Sequence, residues 1–202
     1  MMPLQNRVDP FGGLFADPAC GLLMGNRGGR LHDERRKLGA RRWTSKQWIC
    51  CRLDFNNRHH DVWGNSYTEL FFLDEVTALA AGHRPCFECR RKQAERFAAL
   101  FSSGKPRARA AAMDEGLHAE RLDGKAKRMH RRKIDSLPDG AMIALDGDAF
   151  AVRGNRLLRW TPSIYDHARP RPRAIDVDVL TPPLILAMLS RGYQPLWHPS
   201  SE

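Results

Sequence analysis

The sequence lacks long runs of apolar residues and an even set of cysteines. No stretch of its 202 residues approaches the roughly 18 consecutive apolar residues that a membrane-spanning helix needs. Five cysteines are an odd number, which argues against a disulfide framework. The first twenty residues lack the basic start and apolar core of a signal peptide. We therefore expect a cytoplasmic protein without a membrane partner, where a Cys-x-x-Cys pair favours metal binding or redox chemistry.

Acidic residues are too few to balance the basic ones, and the excess is concentrated in two blocks. The net charge is +10. Residues 27–60 hold ten Lys/Arg and three acidic residues, a net of +7, and residues 90–133 hold fourteen and five, a net of +9. Because phosphate contacts supply most nonspecific affinity for nucleic acids, these blocks indicate a nucleic-acid partner. A solvated basic surface without a partner is the plainer alternative.

The order of predicted elements indicates an α+β fold in three parts. Residues 1–20 are rich in Pro, Gly and Asp without periodicity, so we expect a disordered N-terminus. A small module is predicted over 21–102 and a β-rich lobe over 113–202, separated by a basic, linker-like stretch at 102–112. Strands are predicted over 47–55, 67–72, 141–145, 149–153, 157–160 and 175–180. Helices are predicted over 75–81, over 90–101 and after Thr181, whereas residues 113–133 show little pattern.

The strongest chemical motif is the pair Cys86 and Cys89. Thiolates three positions apart in a tight turn can both reach one tetrahedral zinc ion, with bonds of roughly 2.3 Å. Pro85 turns the chain just before the pair, and a predicted helix begins just after it. A redox-active Cys-x-x-Cys motif of the thioredoxin kind would lie beside a βαβ unit, and the sequence pattern does not indicate such a unit. The motif therefore predicts half of a zinc site.

Two segments around this motif resemble a known family. The sequence YTELFF at 67–72, followed by EVTALAAGHRPCFECR at 75–90, closely resembles the second half of the metal-binding domain of the Ada DNA-repair proteins. The resemblance extends over residues about 48–90. It implies a zinc ion held by four cysteines, the leading one of which accepts a methyl group from a DNA phosphotriester. In this chain Cys51 matches that leading cysteine, but Phe55 takes the place of the next and cannot ligate.

A fourth zinc ligand must therefore come from another position, or the zinc site has an open coordination position. The candidates are Cys50, His32, His59 and His60. Adjacent residues of a strand point to opposite faces, so Cys50 and Cys51 are not expected to bind together. Imidazole suits zinc, and the two adjacent histidines follow a predicted turn. We favour His60, which gives a predicted ligand set of Cys51, Cys86, Cys89 and His60.

These features predict a zinc-containing nucleic-acid-binding protein, in DNA repair or regulation. The side chains expected to contact nucleic acid are Arg41, Arg42, Trp43, Lys46, Arg52, Arg84, Arg90 and Arg91. One alternative is an enzyme acting on nucleic acid, either a repair factor that accepts a methyl group on Cys51 or a zinc-dependent nuclease built on residues 56–60. A permuted deaminase signature, His118-Ala-Glu120 with Cys86 and Cys89, is a weaker one. A protein-interaction module with a basic face also remains open.

Overall fold

A computed structural model describes residues 2–56, 61–102 and 108–202 of the chain. It contains both sheets and helices, which confirms the predicted α+β class. Two larger sheets and one hairpin carry the strands of these residues. In sequence, one α-helix interrupts the first sheet, two lie between the sheets and one follows the second sheet.

The first sheet is built from the N-terminal 85 residues. Its strands, with the helix that interrupts them, are β1 Arg7–Val8, β2 Leu14–Phe15, β3 Leu23–Asn26, β4 Ile49–Arg52, β5 Leu70–Phe72, α1 Glu75–Ala80 and β6 Arg84–Pro85. Across the described residues the strand order is β2-β1-β5-β3-β4-β6. The pairs β1–β5 and β4–β6 are parallel, and the other pairs are antiparallel.

The N-terminal segment differs from the expectation of disorder over residues 1–20. Val8 and Leu14 are buried in a cluster with Leu70 and Phe72. The backbone N–H of Phe71 also donates to the carbonyl of Asn6 at 2.8 Å. The strands β1 and β2 are two residues each, too short to show an alternating pattern, so tertiary pairing holds a segment whose composition resembles a loop.

Two further helices complete the middle of the chain, α2 Arg91–Phe101 and α3 Ala110–Arg121. Helix α2 confirms the prediction, whereas α3 lies in a region predicted to be linker and patternless. The reason is its buried face, which carries Asp114 and Arg121 beside Met113 and Leu117. Because two of these four positions are charged, the hydrophobic periodicity that reveals a helix is hidden.

The second sheet and its neighbours occupy the C-terminal part. The elements are β7 Leu122–Asp123, β8 Ala126–Lys127, β9 His130–Lys133, β10 Met142–Leu145, β11 Asp148–Arg153, β12 Arg156–Trp160, β13 Tyr165–Pro170, β14 Asp176–Val179 and α4 Pro183–Ser190. Strands β7 and β8 form a separate hairpin, and the described sheet has the order β13-β12-β11-β10-β14-β9. Asp146 and Gly147 both have positive φ in the turn that joins β10 to β11, as a tight hairpin requires.

The four strands predicted in this region are confirmed as β10, β11, β12 and β14, and the helix predicted after Thr181 as α4. Strands β9 and β13 were not predicted. Their residues are mostly exposed and charged or polar, and Tyr165 is the one buried residue in the two strands as described. An edge strand of this kind lacks the alternation of apolar and polar residues by which a half-buried strand is recognised.

Helix α1 joins the two sheets, because all six of its residues are buried. Val76 and Ala80 pack with the apolar face of the second sheet. Leu79 packs with helices α2, α3 and α4, and Ala78 packs with the first sheet. The packing thus connects the predicted 21–102 module to the predicted 113–202 lobe through shared apolar clusters.

Two carboxylates at the start of α1 bind the C-terminal segment. Asp74 caps the helix by accepting from the backbone N–H of Thr77 at 2.9 Å, and it also accepts from the Tyr165 hydroxyl at 2.9 Å and the His198 N–H at 3.1 Å. Glu75 accepts from the Tyr193 hydroxyl at 2.6 Å and from the N–H of Leu196 at 2.9 Å. Both carboxylates are fully buried. Removing either one would therefore leave its buried donors without a hydrogen-bond acceptor.

We expect Asp74→Ala to lower the free energy of unfolding by about 3 kcal/mol, since it removes a helix cap and leaves the buried Tyr165 hydroxyl without an acceptor. Urea unfolding followed by circular dichroism measures the change. Asp123→Ala is the control, because that exposed carboxylate makes only a 3.8 Å surface pair with Arg128. A loss below about 0.5 kcal/mol for Asp74→Ala, the size of an ordinary surface substitution, would contradict the assignment.

Candidate metal centre

Parallel pairing of β4 with β6 brings Cys51 beside Cys86. Cys50 lies opposite Pro85 in this pairing, so the next residue on each strand is a cysteine. The backbone N–H of Cys86 donates to the carbonyl of Cys50 at 3.0 Å. Because side chains alternate along a strand, Cys50 points into the apolar cluster and Cys51 points to the other face, as predicted.

A tight turn after β6 then returns the chain so that Cys89 faces the same point. The N–H of Arg90 donates to the carbonyl of Cys86 at 3.1 Å, which closes the turn. Two backbone N–H groups donate to sulfur at 3.4 Å, that of Glu88 to Cys86 Sγ and that of Arg52 to Cys89 Sγ. Hydrogen bonds of this kind favour the thiolate, the form that ligates a metal.

The sulfur atoms of Cys51, Cys86 and Cys89 all lie within 4.8 Å of one another. Two thiolates on one tetrahedral zinc ion would be about 3.8 Å apart, given bonds of about 2.3 Å. The three cysteines could therefore hold a metal ion after small side-chain movements. They line one end of a cleft of about 270 Å³ that also contains Phe55 and Tyr67.

The proximity of the three sulfurs shifts their acidity. Hydrogen bonds from the thiols of Cys51 and Cys89 lower the pKa of Cys86 to about 2. The corresponding bond to Cys86 raises the pKa of the Cys51 thiol, because it is made by the protonated form. One anionic sulfur is thus stabilised by two shared protons. A bound cation would take the place of those protons, which is how metal binding and thiol ionisation are linked.

Two of the four candidates for a fourth ligand, Cys50 and His32, are occupied by other contacts. Cys50 is fully buried, its pKa is raised to about 12 by burial, and its sulfur accepts from the Arg90 guanidinium at 3.1 Å. His32 is also excluded, because its ring nitrogens lie 2.7 Å from the Thr68 hydroxyl and 2.9 Å from the Gly64 carbonyl. His59 and the favoured ligand His60 lie outside the described residues. Their role stays a prediction.

The deaminase-like alternative is not supported by the positions of its two residues on α3. The ring of His118 lies 3.0 Å from the Arg121 guanidinium, and Glu120 accepts from the backbone N–H of Leu184 at 2.7 Å. Neither residue belongs to the cysteine cluster found in the described ranges.

Two of the predicted nucleic-acid contacts are wrong, because Arg84 and Arg90 are buried. Arg84 makes two 2.8 Å hydrogen bonds to the carboxylate of Asp114, and Arg90 pairs with Glu75 at 2.6 Å. Both arginines neutralise buried carboxylates from distant parts of the sequence. Charge counting along the chain cannot reveal such pairing.

The other predicted contacts reach the surface. Trp43 is half-buried, and the remaining five are exposed, namely Arg41, Arg42, Lys46, Arg52 and Arg91. Lys46 pairs with Glu115 at 2.5 Å, and Arg91 pairs with Glu95 at 3.1 Å, both on the surface. Arg52 lines the cysteine cleft, whereas Arg41, Arg42 and Trp43 lie together in the loop between β3 and β4.

A second polar cluster was not predicted. Arg27 and Arg121 are buried, and both guanidinium groups stack on the indole of Trp48, with their central carbons 4.0 and 3.9 Å from a ring centroid. Lys127 lies near them and donates to the carbonyl of Ala80. The three cations come from the residue after β3, from α3 and from β8, so no local motif could have indicated that they meet.

Comparison with models of known protein families gave no match for this chain. Neither the curated proteins nor the solved structures gave a significant match. In the described part of the chain, every helix is too short or too polar to cross a membrane.

We expect the double variant Cys86→Ser/Cys89→Ser to lose metal binding, because it removes two of three clustered sulfurs. The measurement is titration of the purified, metal-stripped protein with Co²⁺, whose thiolate-to-metal absorption reports sulfur ligands directly. Cys20→Ser is the control, since Cys20 is exposed and outside the cluster. Equal Co²⁺ absorption in both variants would show that the metal binds elsewhere.

Proposed function

We propose that this chain is a zinc-containing nucleic-acid-binding protein, acting in DNA repair or regulation. The observation that carries the proposal is the meeting of Cys51, Cys86 and Cys89 within 4.8 Å, next to an excess of basic residues. In this proposal three thiolates and His60 hold a zinc ion, which stabilises the turn after β6 and the basic residues around it.

Zinc is favoured by the chemistry of the donor set. Thiolates are soft ligands that select zinc, Cu(I) or iron–sulfur clusters over the hard cations. A Cys-x-x-Cys turn with N–H groups donating to both sulfurs suits a tetrahedral centre. The site joins two parallel strands and the turn after the second one, so a closed zinc site there would contribute folding free energy.

The nucleic-acid part of the proposal rests on charge and exposure. The chain carries a net charge of +10, and the exposed Arg41 and Arg42 lie next to the half-buried Trp43 in one loop. Exposed guanidinium groups can contact phosphates, and an indole can stack on a base. Arg52, beside the cysteine cleft, would connect this surface with the metal centre.

Binding to random duplex DNA should weaken as salt is raised, because phosphate contacts release counterions. We expect the variant Arg41→Ala/Arg42→Ala to bind more weakly and to reduce the slope of log K against log salt by about 2. Fluorescence anisotropy at several salt concentrations measures both quantities.

The charge-matched control is Arg132→Ala/Arg173→Ala, which removes two exposed arginines from the second sheet and its adjoining loop. Equal effects of the two double variants would mean that net charge alone governs binding. A response that is flat in salt would contradict the nucleic-acid proposal and favour a protein partner for the basic face.

A second candidate function is methyl acceptance by Cys51, as the Ada resemblance implies. The favouring observation is that Cys51 is only partly buried and lines an open cleft beside Arg52. Its thiolate would attack the methyl carbon of a phosphotriester, forming an S–C bond and breaking the O–C bond to leave a phosphodiester anion. A site of three thiolates and one histidine carries less negative charge on zinc than four thiolates, which makes this reaction slower.

If Cys51 accepts methyl groups, the zinc-loaded protein should gain the mass of one methylene after incubation with DNA that carries methyl phosphotriesters. Peptide mass spectrometry locates the addition. Cys51→Ser should gain nothing, whereas Cys20→Ser should react like the unsubstituted protein. Unmodified Cys51 after prolonged incubation would exclude the reaction and leave zinc with a structural role.

A further inference from the structure

A cavity of about 340 Å³ is lined by Trp48 and by the three cations of the second polar cluster, Arg27, Arg121 and Lys127. Its walls come from segments far apart in the chain: the turn between β1 and β2, the loop before β4, the end of α3 and the β7–β8 hairpin. The cationic side chains that line it are Arg27, Arg42, Arg121, Lys125 and Lys127. Among the described residues that line the cavity, none carries a carboxylate.

The buried cations of this cavity donate to neutral acceptors. Arg27 donates to the carbonyl of Gly12 at 2.9 Å and approaches a ring nitrogen of His83 at 3.3 Å. Arg121 donates to the carbonyls of Gly82 at 2.9 Å and Lys46 at 2.7 Å. Within the described residues neither guanidinium makes an ion pair at 4.0 Å or less, in contrast to Arg84 and Arg90.

One donor in the cluster has no partner. The Nε of Arg121 is buried and makes no hydrogen bond in the described structure. Its side chain lines the cavity. A buried, unpaired donor of a charged group is costly to maintain in a folded protein, and it is commonly satisfied by a ligand or ordered water.

The electrostatic environment of the cluster agrees with this geometry. Burial, with a contribution from neighbouring cations, lowers the pKa of Arg27 and of Arg121 to about 9 and that of Lys127 to about 7. Asp9 offsets part of this effect on Arg27 and Lys127, although burial raises the pKa of its own carboxyl. The cluster is therefore short of negative charge, which an anion in the cavity would supply.

We propose that this cavity is an anion site that binds a phosphate group. A phosphate offers several acceptor oxygens and up to two negative charges, which match the guanidinium and ammonium donors that line this cavity. A second cavity of about 320 Å³ shares Arg42, Trp43 and Lys125 with the first. The indole of Trp43 there provides an apolar surface for the organic part of a phosphate ester.

The phosphate can belong to a free nucleotide or to the end or backbone of a nucleic acid, and both present the same chemistry. The site uses none of the cysteine ligands, so it does not depend on zinc. Binding of inorganic phosphate or of a nucleoside monophosphate would stand even if duplex DNA binding failed. The two proposals are therefore separable by experiment.

The test is titration of the full chain with inorganic phosphate, a nucleoside monophosphate, and single-stranded oligonucleotides with and without a 5′-phosphate. Quenching of tryptophan fluorescence is the readout, because Trp43 and Trp48 line the cavity, and thermal unfolding is the second readout. Sodium chloride at matched ionic strength controls for general salt effects. We expect saturable binding of at least one phosphate ligand and a rise in Tm that chloride does not reproduce.

Two variants locate the site. Lys125→Ala removes an exposed lining cation and should weaken phosphate binding about tenfold, at the scale of one lost charged contact. Lys127→Met removes a half-buried lining cation and should abolish most of the Tm rise that phosphate causes, measured against the Tm of the ligand-free variant. Lys92→Ala on α2, an exposed lysine outside the cavity lining, should bind like the unsubstituted protein.

The source of the phosphate follows from which ligand binds more tightly. Tighter binding of the monophosphate indicates a small-molecule ligand, and tighter binding of the 5′-phosphorylated oligonucleotide indicates a strand end. Equal oligonucleotide affinity with and without the 5′-phosphate indicates a backbone phosphate. Absence of saturable binding, or equal affinities for the Lys125→Ala and Lys92→Ala variants, would overturn the proposal.

Discussion

The fold depends on a short helix that has no exposed residue. All six residues of α1 are buried, so each of its faces must be matched by a different part of the chain. The first sheet covers one face, the second sheet another, and the three longer helices a third. Because so short a helix is unstable by itself, its position is set by these three contacts together with the carboxylates of Asp74 and Glu75.

The candidate metal centre is connected to this helix through one side chain. Arg90 donates to the sulfur of Cys50 and to the carboxylate of Glu75, so it joins the back of β4 to the start of α1. Arg90 also directly follows Cys89, at the end of the turn that brings the cysteines together. The position of the turn, and with it the spacing of the three sulfurs, is therefore set partly by the buried core.

Sequence reasoning found the features that depend on local order. The Cys-x-x-Cys turn and the alternation around Cys50 and Cys51 each follow from neighbouring residues. It missed features that depend on partners far along the chain. Asp114 and Arg121 made α3 look polar although they lie on its buried face.

The same limit applies to charge. Arg84 and Arg90 were predicted at the surface because basic residues usually lie there, but each neutralises a buried carboxylate contributed by another helix. The cluster around Trp48 was missed for the converse reason, since within the described residues its two guanidinium groups make no ion pair at 4.0 Å or less. A count of charges per segment cannot distinguish these situations, because burial is decided by the three-dimensional arrangement.

The contacts of α1 with Tyr193, Leu196 and His198 bear on how the chain folds during synthesis. These three residues follow Asp74 and Glu75 by more than a hundred positions, and they donate hydrogen bonds to the two carboxylates. Until the segment that carries them has been synthesised, the two carboxylates lack these three hydrogen-bond donors. The nascent chain therefore completes its central packing only after the segment around residues 193–198 has left the exit tunnel.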